Sequence, residues 1–166
     1  NHVPGVADYE EQSYWRDVGN IDAYYAAHYD VLGAQPRFNL FNPQWFINSS
    51  AYQGPSPRIL SGDIKDSTIA AGSLVKDARI RNSMLRREVV VEEDVEIDDC
   101  LIMDYTVIRR GSRLKRVIVD RYNVIEPNSR IGFDAAADRA RYTVSEGGVV
   151  VLAKGHDVPD VTRYQI

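Results

Sequence analysis

The chain has 166 residues, of which 44% are hydrophobic and 27% charged, and its formal net charge is −4. That suits one or two globular domains with a real core and argues against a broadly basic nucleic-acid-binding surface. The single cysteine, Cys100, excludes an internal disulfide framework and a cysteine-rich zinc site, and no apolar run approaches the roughly 20 residues of a bilayer span.

No signal peptide is visible, so the expected location is cytoplasmic, without a membrane partner. The chain opens at Asn1 rather than Met, in a polar stretch. The expectation is a C-terminal piece of a longer protein, with a processed terminus or a cloning scar as the alternative.

The first informative stretch is "YWRDVGN", residues 14–20, which gathers two aromatics, a cation, a carboxylate and a glycine. Asn20 then fits an N-cap, and Asp22 lies in the first turn, where the helix dipole favours a carboxylate. Ile21, Tyr24, Tyr25, His28 and Leu32 follow helical spacing and predict one apolar face. Gly33 and Pro36 are the predicted stop. Residues 36–62 are rich in Pro, Asn, Ser and Gly and read as an irregular linker arm. Its aromatics, Phe38, Phe41, Trp45, Phe46 and Tyr52, pack onto a neighbouring surface or form a ligand surface.

From Ile64 the pattern changes. Leu85, Val91 and Ile97, moved on by 17, give Ile102, Ile108 and Leu114; a second step gives Val119, Ile125 and Ile131. Upstream, Ile69, Val75 and Ile80 continue these columns with one residue fewer. Spacings of 5 and 6 within each unit match no helical period, and a hairpin meander would interpose turn residues more regularly. The repeat predicts a β-solenoid with three short strands per coil and one large aliphatic pointing inward from each. Companions four residues later are small or β-branched: Val89, Thr106 and Asn123, or Val95, Ser112 and Ser129. They suit bends in the wall. Coils stacked at about 4.8 Å make a prism roughly 20 Å long.

Charged stretches at 86–88, 92–99 and 109–116 read as the outward remainder of the strands, with acidic and basic coils able to pair. An interface or anion site is the other reading. Val149–Leu152 is a short apolar strand placed to cover the open end of the solenoid, since solenoid ends need caps. Residues 156–166 read as a polar, flexible tail.

The stretch "YWRDVGNIDAYYAAHYDVL" resembles the end of the catalytic domain of sugar-1-phosphate nucleotidyltransferases, and is most similar to that of glucose-1-phosphate adenylyltransferases. "VIVDRYNVIEPNSRIG" resembles that family's final hexapeptide coils, and "SEGGVVVLAKG" its closing strand. The resemblance covers about residues 10–155. It implies a mainly β fold: a left-handed parallel β-helix preceded by one α-helix from the end of a nucleotidyltransferase domain. Residues 1–35 would end that catalytic domain, 36–62 form the arm, and 63–155 the β-helix with its closing strand.

The implied reaction joins ATP and glucose 1-phosphate into ADP-glucose and pyrophosphate, with Mg²⁺, for glycogen synthesis. By resemblance Asp17 is one metal-ligand carboxylate, an oxygen donor that suits hard Mg²⁺. Gly19 would permit close backbone approach, and Trp15 and Arg16 would brace the loop. The family's nucleotide loop and first metal aspartate lie in an upstream catalytic domain, so the chain alone is expected to be inactive. A homotetramer is implied, as is a sugar-phosphate or other anionic effector, with Arg139 and Arg141 as candidate ligands. Without the family, Asp17 reads as a carboxylate near a helix start, and Arg139 and Arg141 as surface cations.

Three alternatives stand beside this. One is another sugar-1-phosphate nucleotidyltransferase. A second is a hexapeptide acyltransferase, whose general base is usually a histidine between coils; here only His2, His28 and His156 occur, none in the solenoid. The third is a non-catalytic scaffold.

Overall fold

A computed structural model of the chain describes residues 14–40, 52, 54–157 and 159. Phe41, Trp45, Phe46 and most of the expected tail lie outside the described residues.

The solenoid begins at β1 (Arg58–Ile59), ahead of the boundary expected at 63. It continues through β2 (Gly62–Lys65), β3 (Thr68–Ile69), β4 (Leu74–Arg81), β5 (Met84–Leu85), β6 (Val90–Asp98) and β7 (Leu101–Ile102). The following strands are β8 (Val107–Ile108), β9 (Arg113–Lys115), β10 (Val117–Val119), β11 (Val124–Ile125) and β12 (Arg130–Ile131). All pairings between these strands are parallel and join each coil to the next. This is the expected mainly β, left-handed parallel β-helix.

The register reproduces the three apolar columns. Leu85 pairs with Ile102 and Ile102 with Val119; Val91 with Ile108 and Ile108 with Ile125; Ile97 with Leu114 and Leu114 with Ile131. Except for the outermost Ile125 and Ile131, which are also buried, these residues are at most 1% exposed and form one continuous core. Each coil contributes similar inward atoms, so each additional coil buries its neighbour's apolar edge.

The change of repeat length has a local cause. Asp77 pairs with Glu93 but Ala78 with Val95, so Asp94 is an extra residue in the ladder, and its φ is 59°. A bulge absorbs one residue in this way without breaking the coil. The residues aligned with it in the next coils, Gly111 and Asn128, also have positive φ. A second corner stacks Asp66, Asn82, Asp99 and Arg116, and a third Glu88, Tyr105 and Tyr122, all with positive φ. Asn and Asp tolerate this region; Arg and Tyr are held in it by the pairing on either side. Small residues cap corners as well as fit them: Ser112 Oγ, of the companion set, accepts from Ser129 N at 3.3 Å, and outside that set Ser83 Oγ accepts from Cys100 N at 3.0 Å and Ser73 Oγ from Val89 N at 3.2 Å.

The end of the solenoid differs from expectation. After β12 the chain leaves for α2 (Ala135–Arg141), capped by Asp134, which accepts from the amides of Ala136 and Ala137. It then forms β13 (Thr143–Val144) and β14 (Val150–Leu152). β14 does not lie across the open end. It runs parallel to β10, with Ile118 opposite Val151, and so completes the third side of the last coil. β13 pairs antiparallel along its outer edge and covers it.

α1 (Ile21–Tyr29) docks on the outer surface of this third side. Ile21, Tyr25 and Tyr29 pack with Leu101, Ile118, Val149, Met84 and Met103. The buried stripe is thus 21, 25 and 29, whereas Tyr24 and His28 lie beside it with their rings 4.5 Å apart. The helix ends at Tyr29, with Asp30 as its C-cap, one turn before Gly33. Gly33 instead donates its amide to Asp66 at 2.8 Å, a second tie to the coils. No helix among the described residues is long and apolar enough to cross a membrane.

Candidate functional site

Asp17 lies in the extended segment that leads into α1, exposed to solvent. No hydrogen bond or ion pair engages its carboxylate among the described residues. Gly19 follows closely: the nearest group a Cβ there would meet is the Asp17 carboxylate, at 3.4 Å, an ordinary contact. Arg16 turns away from Asp17 and pairs with Asp30 at the far end of α1. Tyr14 donates to the same Asp30 carboxylate at 2.9 Å, and its ring lies 5.4 Å from that of Phe38. Burial alone would raise the Asp30 carboxyl, but the hydrogen bonds from Arg16 and Tyr14 outweigh it and hold it below the usual range. The motif is therefore folded back on its own helix by Arg16. Trp15 is 82% exposed and adds no packing.

The start of α1 is fixed twice. Asn20 Oδ1 accepts from Ala23 N at 2.8 Å, the predicted cap. Asp22, in the first turn, takes donors from far along the chain: Ser145 Oγ at 2.6 Å and Gly147 N at 3.0 Å. Those hydrogen bonds, Ser145 first, lower its carboxyl pKa. Arg116 donates to Gly147 O at 2.9 Å and stands 5.5 Å from the centre of the Tyr25 ring. Tyr25 donates its hydroxyl to Asp99 O at 2.8 Å.

On the other flank of α1 opens a cavity of about 980 Å³, lined by Tyr24 of the helix, Tyr52 of the arm and, from the coils, Arg86, Arg87, Asp104, Asp120 and Arg121 among others. Arg86 Nε and Arg87 Nη2 both reach the Asp104 carboxylate, at 3.0 and 3.2 Å. Burial would raise this carboxyl, but the Arg87 hydrogen bond and the two guanidinium charges hold it low. One carboxylate thus anchors two arginines, and Arg121 stands over the next coil beside Asp120 at 3.7 Å. Tyr52 closes the rim: it lies under the Arg87 guanidinium at 5.1 Å and donates to Glu88, the docking expected of the arm aromatics.

From sequence, residues 86–88 read as a solvent-facing stretch, with an interface or anion site as the other reading. A signal was present: Arg87, Asp104 and Arg121 recur at the same 17-residue step as the core, so the solenoid stacks them on one line. Arg139 and Arg141, the expected anion ligands, lie at a separate depression of about 360 Å³ with Tyr142 and Thr143. Arg141 rests on the Tyr142 ring at 5.3 Å. The structure does not bring these two arginines into the Arg86–Arg87–Arg121 group. Among the described residues no cluster of three His, Cys, Asp or Glu side chains forms a metal cage.

Comparison with known proteins agrees with this architecture. The family model described as "GlmU-like, C-terminal hexapeptide" matches residues 56–152. The glucose-1-phosphate adenylyltransferase of Thermodesulfovibrio yellowstonii is 47% identical over 154 residues, covering 93% of this chain and 38% of that protein. Proteins of the same name from Corynebacterium jeikeium and Cutibacterium acnes are 38% and 35% identical, over 93% and 96% of this chain and 38% and 39% of their own lengths. The chain thus spans well under half of these curated relatives and matches their C-terminal part. It belongs to the GlmU-like C-terminal hexapeptide family, as a relative of the C-terminal portion of glucose-1-phosphate adenylyltransferases.

Proposed function

We propose that this chain is the regulatory and assembly portion of a glucose-1-phosphate adenylyltransferase, acting with an upstream catalytic domain in the cytoplasm. That enzyme converts ATP and glucose 1-phosphate into ADP-glucose and pyrophosphate for glycogen synthesis. One observation carries the reading: the 47% identity is over 154 residues, 93% of this chain, so the matched stretch extends beyond the hexapeptide coils at 56–152. Coils without a single histidine between Arg58 and Gly155 speak against a hexapeptide acyltransferase.

Within that reading Asp17 supplies one oxygen ligand to Mg²⁺, and the remaining ligands come from outside this chain. The fit rests on its exposed carboxylate, which has no described partner and is of the donor type a hard cation takes. The ion, when bound, would neutralise charge on the phosphates. This chain's own part is to hold Asp17 at the start of a docked helix, with Arg16 tied back to Asp30. The cavity bearing Arg86, Arg87 and Arg121 is the better candidate for an anionic, sugar-phosphate-class effector than Arg139 and Arg141. Planar guanidiniums suit phosphate, and Asp104 preorganises two of them. Assembly into a homotetramer completes the proposal.

The test is synthesis of ADP-glucose. The 166-residue chain should show none, and the same chain joined to its upstream domain should be active. Asp17→Asn in the joined protein should lower kcat by about 10²–10³ with little change in stability. Unchanged turnover in Asp17→Asn, or synthesis by the 166-residue chain alone, would overturn the reading.

A further inference from the structure

The chain does more than close its last coil after β12. Between β9 and β10 it passes from Lys115 to Val117 with a single corner residue, Arg116. Between β12 and β14 it makes α2 and β13 first, so that Ile118 pairs with Val151, 33 residues on, where Leu101 pairs with Ile118, 17 on. The excursion is firmly built. Asp138 of α2 is 4% exposed and accepts from Gly132 N at 3.1 Å. The turn that ends it is closed by Gly148 N donating to Ser145 O at 3.1 Å.

That turn presents two donors to the two oxygens of Asp22. Ser145 Oγ accepts from Val149 N at 2.9 Å, which leaves its proton for Asp22 Oδ1, and Gly147 N meets Oδ2. The approach is close enough to require glycine: a Cβ on Gly147 would stand 2.5 Å from Asp22 Oδ1. Arg116 fixes the turn from below through Gly147 O. Apart from the Asn20 cap within the segment itself, no other hydrogen bond or ion pair holds this end of α1 among the described residues. No hydrogen bond ties residues 17–20 to the coils among the described residues, and Arg16 is bound within its own segment by Asp30.

We propose that Asp22 is a positioning residue for Asp17: by clamping the first turn of α1 to the Ser145–Gly147 turn, it fixes the loop that presents the Asp17 carboxylate, which makes the C-terminal excursion part of the support of the metal site. This rests on the reading of Asp17 as a metal ligand.

Two measurements test it. In the 166-residue chain, Asp22→Asn and, separately, Gly147→Ala should speed amide exchange at residues 18–24 about tenfold, the loss of one charge-assisted hydrogen bond. Protection in the coils should persist, which shows that the variants fold. In the chain joined to its upstream domain, both variants should raise the Mg²⁺ concentration for half-maximal turnover about tenfold. KM for glucose 1-phosphate should hold. Asp17→Asn serves as the reference. If it abolishes turnover while Asp22→Asn and Gly147→Ala leave the Mg²⁺ response unchanged, the clamp is only a tether and the inference is wrong. If Asp17→Asn leaves turnover intact, the metal reading falls and the inference with it.

Discussion

The coils and the segment docked on them, residues 14–40, are stabilised in opposite ways. In the coils each inward residue short of the ends has an equivalent above and below, and the core is one stack that runs from Ile64 through Ile131 to Leu152. The loss of any one contact is shared along it. The docked segment is held by single, unrepeated features: three apolar residues of α1, the Tyr25–Asp99 bond, the Asp22 clamp and Gly33 on Asp66. Redundancy gives a rigid platform. The singular contacts give a part that is able to loosen without the platform unfolding, a common property of functional segments.

The largest effect should come from the redundant part. Ile97 is fully buried between Ile80 and Leu114. Ile97→Ala should cost about 2–5 kcal/mol, because the paired strands on both sides keep the cavity from collapsing. A urea titration followed by circular dichroism would read this as a lowered midpoint for coils and docked segment together. A loss confined to one or two coils would break the view of the solenoid as one cooperative stack.

That stack was largely legible in the sequence. A solenoid imposes the same inward requirement on every coil, so Leu85, Ile102 and Val119 announce one another at a distance of 17. Features that occur once carry no such echo. α2 was not anticipated although Asp134 before an alanine run is an ordinary helix start; seven residues are too few for a clear apolar stripe, and Arg139 and Arg141 suggest an anion ligand or surface cations equally well. The role of β14 was hidden by the excursion, which displaces its register from 17 to 33. The positive φ of Tyr105, Tyr122 and Arg116 was not legible, since those residue types do not favour it and only the flanking pairs impose it. Of the site, the motif around Asp17 was visible as residues. The Asp22 clamp was not, because its partner Ser145 is 123 residues away. The arginine cavity lies between these cases: its 17-residue column of Arg87, Asp104 and Arg121 is present, but charge alone does not separate a solvated face from an anion site.

A smaller change separates the two regions. Tyr25→Phe removes the hydroxyl that donates to Asp99 O and accepts from Tyr29, and it keeps the ring against Leu101 and Ile118. The cost should be about 1–2 kcal/mol, felt in docking. Limited proteolysis should then cut within residues 14–33 at a higher rate, with the urea midpoint of the coils unmoved. An equal shift of that midpoint would mean that segment and coils form one folding unit, and the comparison would fail.

The smallest effect belongs to the outer charges. Glu96 takes Arg79 at 2.6 Å from the coil before and Arg113 at 3.4 Å from the coil after, as the alternation of acidic and basic coils predicted. Both arginines are nearly half exposed, so each pair contributes little. Glu96→Gln should cost less than about 1 kcal/mol, and the difference should vanish near 1 M salt. The alternation has more consequence for register. A chain that skipped the coil of Glu96 and Asp98 would set Arg79 and Arg81 beside Arg113 and Lys115, like against like. Glu96→Lys brings that repulsion into the correct register and should therefore destabilise more than Glu96→Gln at low salt, again converging with it at high salt. Equal effects at every salt concentration would show that the outer charges take no part in choosing which coils pair.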